Sequence, residues 1–334
     1  MAENVQDHVA TSGPAEILVM GRLPVLENAP DGRLVFRRLW TARDPDAFLA
    51  EHSAAIRGVV TFGALAVDEA LLQKLPNVEI VCAFGVGYDQ IDMATAKRRG
   101  ITVTYAADVL TEEVADMALG LLIATLRHIP QADRFVRAGK WREGNYPLSD
   151  ASLRGRSVGI VGLGRIGKAI ARRLQASKIA VAYHGRTRQA DVDVPHHASL
   201  LTLAQAVDTL IVATPGGAGT HHLIDAAVLK ALGPKGVLIN ISRGSVVDET
   251  ALIAALADHT ILTAGLDVFE DEPNVAQALL DNDDIVVLPH IASASAVTRA
   301  AMGQLVIENL ESWFAGNGPL TPVPETPWPR ETQR

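Results

Sequence analysis

Residues Val158–Arg188 read VGIVGLGRIGKAIARRLQASKIAVAYHGRTR, and this stretch decides the fold. Val158-Gly159-Ile160-Val161 is a short apolar run of buried-strand type, followed by the turn Gly162-Leu163-Gly164-Arg165-Ile166-Gly167. Ile166, Ile170 and Leu174 then recur at helical spacing, and Ile179-Ala180-Val181-Ala182-Tyr183 makes a second strand. Strand, glycine turn, helix and strand within ~30 residues define a dinucleotide-binding unit. The first glycine permits the tight turn, the second lets backbone approach a pyrophosphate, and the third lets helix and strand pack closely. Free N–H groups and the positive dipole at the helix amino end favour an anion there. Glycine turns are common in a chain with 27 glycines, so it is the flanking strand and helix patterns that carry the reading.

The end of the second strand specifies the cofactor further. An NAD site usually places Asp or Glu about 20 residues beyond the glycines, bonded to the ribose 2′-hydroxyl. Here the strand ends in His184-Gly185-Arg186-Thr187-Arg188, with no acid. Arg186 and Arg188 can pair with a 2′-phosphate through charge-assisted hydrogen bonds, and Thr187 adds a hydroxyl donor. The expectation is NADP(H), with NAD(H) as the weaker ligand. Two solvated surface arginines are the plain alternative.

Working outward, 334 residues suggest about two domains, and 48% hydrophobic content gives each a core. With 30 basic against 38 acidic residues the net charge is −8, which argues against a nucleic-acid surface. Cys82 is the single cysteine, in an apolar setting that suits an inert thiol and a reducing cytoplasm. Met1 to Pro14 lacks the pattern of a signal peptide and reads as a disordered tail. The longest apolar run, around Met117 to Leu126, falls short of the ~20 residues that span a bilayer, so no membrane partner is expected.

Strand-length apolar runs precede the glycine motif at Ile17 to Met20, Gly58 to Phe62, Val78 to Phe84 and Ile101 to Tyr105. A long helix from about Thr111 to Arg127, stopped near Pro130, reads as a connector, and Lys140 to Gly155 reads as a loop or arm. Six strands follow from Val158 to Leu288, then a helix over Ser295 to Phe314 and a proline-rich tail expected to be flexible. The fold class is therefore α/β, with two lobes of Rossmann-like or flavodoxin-like type, each a doubly wound parallel sheet. Residues 1–107 with 295–334 form the expected substrate-binding domain, and 108–294 the NADP-binding domain.

Ligands of such sheets bind at the carboxyl ends of strands. Ile241-Ser242-Arg243-Gly244, Asp267-Val268-Phe269-Glu270-Asp271-Glu272-Pro273 and Pro289-His290-Ile291-Ala292-Ser293 follow three successive strands. Phe84-Gly85-Val86-Gly87-Tyr88-Asp89 follows one in the first lobe, and together these segments are expected to close an interlobe cleft. A carbonyl reductase needs a hydride donor, a proton donor to the developing alkoxide, and a positive group that holds the substrate. His290 suits the proton donor, Glu272 the carboxylate that keeps it protonated, and Arg243 the fork for a substrate carboxylate. Backbone N–H groups at Val86 and Gly87 suit the same carboxylate. Taken singly, His290 and Arg243 could be structural and Glu272 a solvated acid. Their placement after consecutive strands of one nucleotide-binding sheet favours chemistry.

The ordered motifs, from Gly162–Gly167 through Ile239-Asn240-Ile241-Ser242-Arg243-Gly244 and Gly265-Leu266-Asp267-Val268-Phe269 with Glu272-Pro273 to Leu288-Pro289-His290-Ile291, resemble the D-isomer-specific 2-hydroxyacid dehydrogenases. Within that family the chain is most similar to glyoxylate/hydroxypyruvate and hydroxyphenylpyruvate reductases that prefer NADP. The resemblance implies that Arg243 binds the 2-oxo acid, His290 exchanges the proton and Glu272 hydrogen-bonds to His290. It also implies that Asp267 faces the nicotinamide carboxamide, that Thr214, Pro215, Ile241 and Ser242 line the cofactor site, and that the protein is a homodimer. Trp141 resembles a residue that reaches a partner's active site. His184 stands where many members carry Asp, and Pro215-Gly216-Gly217 stands where Pro-Leu-Thr is frequent.

His196-His197 and His221-His222 are adjacent pairs expected to point apart, without a carboxylate at ligand spacing, so no metal is expected. The function expected is NADPH-dependent reduction of small 2-oxo acids to 2-hydroxy acids. The alternatives are an NAD-dependent hydroxyacid or phosphoglycerate dehydrogenase and a non-catalytic, nucleotide-sensing corepressor-like protein.

Overall fold

A computed structural model describes residues 13–27, 32–63, 65–326 and 328. The first residues of the expected Met1 to Pro14 tail, and Ala64 in the loop after the Gly58 to Phe62 run, lie outside the described residues. The described residues fall into two compact units, one drawn from 1–110 and 296–334, the other spanning Thr111–Ser295.

The first unit contains strands β1 (Ala15–Val19), β2 (Leu34–Arg38), β3 (Ile56–Thr61), β4 (Ile80–Ala83) and β5 (Thr102–Thr104). They form one parallel sheet in the order β2-β1-β3-β4-β5, the flavodoxin-like arrangement. Its strands are apolar along their length because helices cover both faces; Ile17, Val59, Val60, Ile80 and Val81 are fully buried. Helix Ala296–Phe314 packs on this sheet through Val306 and Leu310, where Gly58 leaves room for Leu310. β2 escaped the sequence reading because LVFRR ends in two arginines. Arg37 is held on the edge strand by Glu16 of β1, at 2.6 and 2.7 Å.

The proline-rich tail is docked rather than flexible as far as it is described. The Asn309 amide oxygen accepts from the N–H groups of Leu320 and Thr321, and Pro322 bridges Thr104 antiparallel. Val323 N–H donates to Val103 O and the Thr326 hydroxyl accepts from Val103 N–H, both at 2.9 Å. Trp328 then meets Trp313 edge to face. Proline removes a donor from the chain without preventing its carbonyl and neighbours from pairing, so a proline-rich segment can cover a sheet edge.

The second unit contains β6 (Ser157–Val161), β7 (Ala180–His184), β8 (His196–His197), β9 (Thr209–Val212), β10 (Val237–Asn240), β11 (Thr263–Leu266) and β12 (Val286–Val287). The seven are parallel, in the order β12-β11-β10-β9-β6-β7-β8. This is the Rossmann order extended by one strand, and its switch point falls between β6 and β9. The helix Thr111–Leu126 belongs wholly to this unit instead of joining two. Val114, Ala118, Leu121, Leu122 and Leu126 are buried, and Leu121 and Thr125 come so close to β11 that Gly265 has no room for a Cβ. Pro130 does not end the helical region; it sits in the first turn of a further helix, Ile129–Arg137, where a missing N–H costs nothing.

Candidate active site

The glycine loop sits at the switch point. Gly162 has φ +96, and a Cβ on it would lie 2.9 Å from Ala213 O and from the Thr214 amide, so β6 and β9 can adjoin only with glycine there. At Gly167 a Cβ would strike the carbonyl of Gly162, which is the close packing of helix on turn. A Cβ on Gly164 would meet nothing within 4 Å. That open space, at the amino end of helix Arg165–Ala176, fits a pyrophosphate. Leu163 is buried beneath the loop, while Arg165 and Ile166 open the helix.

The turn after β7 is fixed from both ends. Fully buried Tyr183 accepts through its hydroxyl from Gln189 N–H at 2.7 Å, and Gln189 Nε2 donates to Leu163 O at 2.7 Å. His184 Nδ1 lies 2.9 Å from His197 O, and His196 Nε2 lies 3.1 Å from Gly185 O. Arg186, Thr187 and Arg188 are left exposed on this anchored turn. The nearby acid, Asp191, is engaged by Lys168 at 2.7 Å, and that contact holds its carboxyl below the ordinary value. A turn with two guanidinium groups and no carboxylate fits a 2′-phosphate better than a bare ribose hydroxyl.

Thr214 backs Gly162 across the switch point, and Pro215 O accepts from the Thr220 hydroxyl at 2.7 Å. Gly217, in the departing Pro215-Gly216-Gly217 segment, has φ +122. This backbone conformation differs from what Pro-Leu-Thr would adopt readily.

Arg243, Glu272 and His290 follow β10, β11 and β12. The buried Asn240 amide shapes the first turn: its oxygen accepts from the Ser242 N–H and hydroxyl, each at 3.1 Å, and its Nδ2 donates to Arg243 O at 2.9 Å. Ile241 and Ser242 are buried, and Arg243 Nη1 donates to Ser242 O at 2.7 Å. A Cβ on Gly244 would collide with the backbone of Phe269 and Glu270, so the loops after β10 and β11 touch main chain to main chain.

His290 Nδ1 lies 2.8 Å from Glu272 Oε2, and Glu272 Oε1 accepts from Phe269 N–H at 3.0 Å. Side-chain exposures of 39% and 31% leave the pair reachable by a ligand. Burial pushes the Glu272 carboxyl up, but the His290 hydrogen bond, the Phe269 N–H and the charges of His290 and Arg243 outweigh it and hold the group below its ordinary value. Glu272 is thus a carboxylate that favours a proton on Nδ1 and leaves Nε2 as the outward-facing nitrogen.

Asp267 closes the end of β11. Its side chain is fully buried, with Oδ1 accepting from Ile291 N–H at 2.7 Å and Oδ2 from Ala292 N–H at 2.8 Å. His290 N–H in turn donates to Asp267 O at 2.8 Å, while His290 itself sits at φ +54. The carboxylate thus holds the backbone just after His290, and the Asp267 carbonyl holds that of His290 itself. Burial raises its pKa despite the two N–H groups and the nearby His290 charge.

The expectation about the second histidine pair is corrected. His196 and His197 do serve separate backbone partners, but His221 and His222 stack, with ring centroids 3.9 Å apart, and Glu270 lies 2.5 Å from His222 Nε2. A carboxylate therefore stands at ligand spacing. Val86 and Gly87 follow β4 in the first unit, partly exposed, and their N–H groups donate to no described residue. Trp141 lies in the 3-10 turn Lys140–Arg142, 66% exposed.

The fold and site define a nicotinamide-dependent dehydrogenase of the two-lobed α/β kind. Residues 119–292 match the NAD-binding domain of D-isomer-specific 2-hydroxyacid dehydrogenases, and the chain belongs to that family. It is 46% identical over 298 residues to glyoxylate/hydroxypyruvate reductase A of Arabidopsis thaliana, covering 89% of this chain and 95% of the relative. Hydroxyphenylpyruvate reductase of Plectranthus scutellarioides is 43% identical over the same shares. Among solved structures, an NADPH-dependent glyoxylate/hydroxypyruvate reductase from Sinorhizobium meliloti, in complex with NADP and malonate, is 52% identical with a TM-score of 0.90. The match covers 96% of this chain and 99% of that one.

Sequence reasoning named the charged members of the site and missed the residues that aim them. Asn240, Tyr183 and Gln189 fix Arg243 and the arginine turn. A polar Asn closing the apolar run Val237–Asn240 was the available signal, since a buried amide must find partners.

Proposed function

We infer that the chain is an NADPH-dependent reductase of small 2-oxo acids, glyoxylate and hydroxypyruvate first, giving the D-hydroxy acid where C2 becomes chiral. The observation that carries this reading is Arg243 and the Glu272–His290 pair on successive strand ends of a sheet whose glycine loop faces an acid-free arginine turn. Bound NADPH supplies a hydride for the substrate carbonyl carbon. Arg243 receives the substrate carboxylate and polarises the adjacent carbonyl. His290 delivers the Nε2 proton to the carbonyl oxygen as it gains charge, with Glu272 stabilising the imidazolium before transfer. Arg186, Thr187 and Arg188 bind the 2′-phosphate, Gly162–Gly167 the pyrophosphate, and Val86 and Gly87 add N–H donors for the substrate carboxylate. Thr214, Pro215, Ile241 and Ser242 are assigned to the cofactor site by the same family resemblance.

Following NADPH oxidation against a panel of 2-oxo acids tests the reading. Turnover with glyoxylate or hydroxypyruvate is expected, and His290→Ala should remove most of it while NADPH still binds. Cofactor binding without turnover on any 2-oxo acid would instead mark a nucleotide sensor.

A homodimer is part of the same reading. Ile129, Val136, Trp141 and Leu148 are exposed apolar side chains on one helix and the arm that follows it, an unusual cost for a surface that meets only water. Trp141 is assigned to the partner's site. Light scattering of the purified chain should return twice the chain mass, and a monomer would remove the assignment. Cytoplasmic residence suits the lone Cys82, a buried thiol pushed by burial up to about 12. No helix among the described residues is long and apolar enough to cross a membrane.

A further inference from the structure

We propose that His221, His222 and Glu270 form a binding site for one divalent transition-metal ion of zinc type, separate from the Glu272–His290 pair. Neighbouring residues in regular structure send their side chains apart. Here His222 takes φ +49, which turns the backbone so that both imidazoles lie on one side, their planes 28° apart. The turn is fixed on its own side: His222 N–H donates to Ser245 O at 2.8 Å, Ile224 N–H donates to Val246 O at 3.0 Å, and Ile224 bridges Val247.

The third ligand comes from the loop after β11. Glu270 N–H donates to Glu249 Oε1 at 3.1 Å, so the backbone that presents the carboxylate is held as well. One donor atom from each of the three side chains lies within 4.8 Å of the others. The His222–Glu270 pair, at 2.5 Å, is closer than two ligands of a filled tetrahedral site, and rotation of the exposed His221 and Glu270 side chains is what would bring all three onto one ion. Two imidazole nitrogens and one carboxylate oxygen are a donor set for zinc, nickel or copper, whereas calcium and magnesium demand an oxygen shell. Three protein ligands leave a fourth position for water.

The surroundings favour a dication. Asp248 stands near His222, and Glu249, Asp271 and Glu272 stand near Glu270, so the corner is rich in carboxylates. Against it stands the positive charge of Arg243 toward Glu272. On binding, the proton shared by His222 and Glu270 leaves to solvent and the metal takes its place. An ion there would tie the 220–224 segment to the loop that carries Glu272.

The experiment uses the full-length chain, freed of metal by chelation, with zinc titrated against a chromophoric chelator and cobalt absorption as a second probe. One equivalent of zinc per chain is expected. His221→Ala and Glu270→Gln should each weaken it at least tenfold while keeping wild-type NADPH-dependent turnover and melting temperature, since both side chains are exposed. Absence of stoichiometric uptake by the wild-type chain, or equal affinity in both variants, would overturn the proposal. A cobalt spectrum of tetrahedral type in the wild-type chain and not in Glu270→Gln would support it; the same spectrum in both would place the ion elsewhere.

Discussion

Replacing Arg186 and Arg188 together by alanine isolates the part of the site that selects the cofactor. Both guanidinium groups are exposed, and the turn that carries them is held by other residues, so their removal leaves Tyr183, Gln189 and His196 in place. A hydrogen bond to a charged group contributes about 1.5–3 kcal/mol, and solvent screening at an exposed turn argues for the lower end. Two such contacts give about 3 kcal/mol, on the order of 10²-fold in kcat/KM for NADPH. NADH has no 2′-phosphate to lose, so its kcat/KM should change less than about twofold, and the ratio of the two cofactors should fall by the full factor. Initial rates with each cofactor at fixed glyoxylate measure this. Added salt should erode the preference of the wild-type chain and leave the double variant flat. A double variant that retains the wild-type NADPH to NADH ratio would refute the assignment of the turn. Gln189→Ala is a useful companion: it keeps both arginines but cuts the tie to Leu163 O, so a smaller rise in KM for NADPH is expected with kcat nearly unchanged.

Glu272→Gln should lower kcat by about 10²-fold with NADPH binding intact, because an amide cannot stabilise the His290 imidazolium as a carboxylate does; unchanged kcat would remove the pair from the mechanism. Gly244→Ala should cost about 1–3 kcal/mol of stability and most activity, since the methyl group meets the Phe269–Glu270 backbone, and a wild-type melting curve would contradict that contact. Glu16 is held below its ordinary carboxylate value by hydrogen bonding to Arg37, against the opposing effect of burial. The stability this contributes is fully present above the unfolded value and is lost as pH falls through the folded one. Arg37→Met should therefore flatten the acid side of a stability-against-pH curve, and an unaltered slope would show the pair to be idle.

The sequence displayed what depends on pattern and hid what depends on partners. Glycines at Gly162, Gly164 and Gly167, and charged residues after three apolar runs, are visible because strand, turn and helix each impose a local period. β2 was obscured because Arg37 and Arg38 read as surface residues, whereas Arg37 pairs with Glu16 across the sheet edge, and Arg38 donates to the carbonyls of Leu26 and Glu27. β8 is only His196–His197, too short for any alternation to show. Pro130 reads as a stop in the sequence and begins a helix in the structure, and the docking of 320–326 depends on Asn309, a helix side chain that reaches past the helix end to Leu320 and Thr321. The two backbone N–H groups after β12 that the Asp267 carboxylate accepts from have no local signal in the sequence either. Partners such as Glu16 for Arg37 and the 320–321 backbone for Asn309 are announced by no local period.

The docked segment at the far end of the chain bears on how the protein is made. The first unit takes strands from residues 15–104, the helix Ala296–Phe314 and the segment that pairs with β5, while Thr111–Ser295 is an uninterrupted stretch. During synthesis on a ribosome the inserted unit can therefore finish folding as soon as residue 295 emerges. The earlier-made strands must wait, one sheet edge uncovered at β5, until translation delivers residues 296–326. Strands β1 to β5 are thus the part of the nascent chain most exposed to chaperones and to misassembly, and a ribosomal stall before residue 320 would leave a well-folded nucleotide-binding unit attached to an unfinished neighbour.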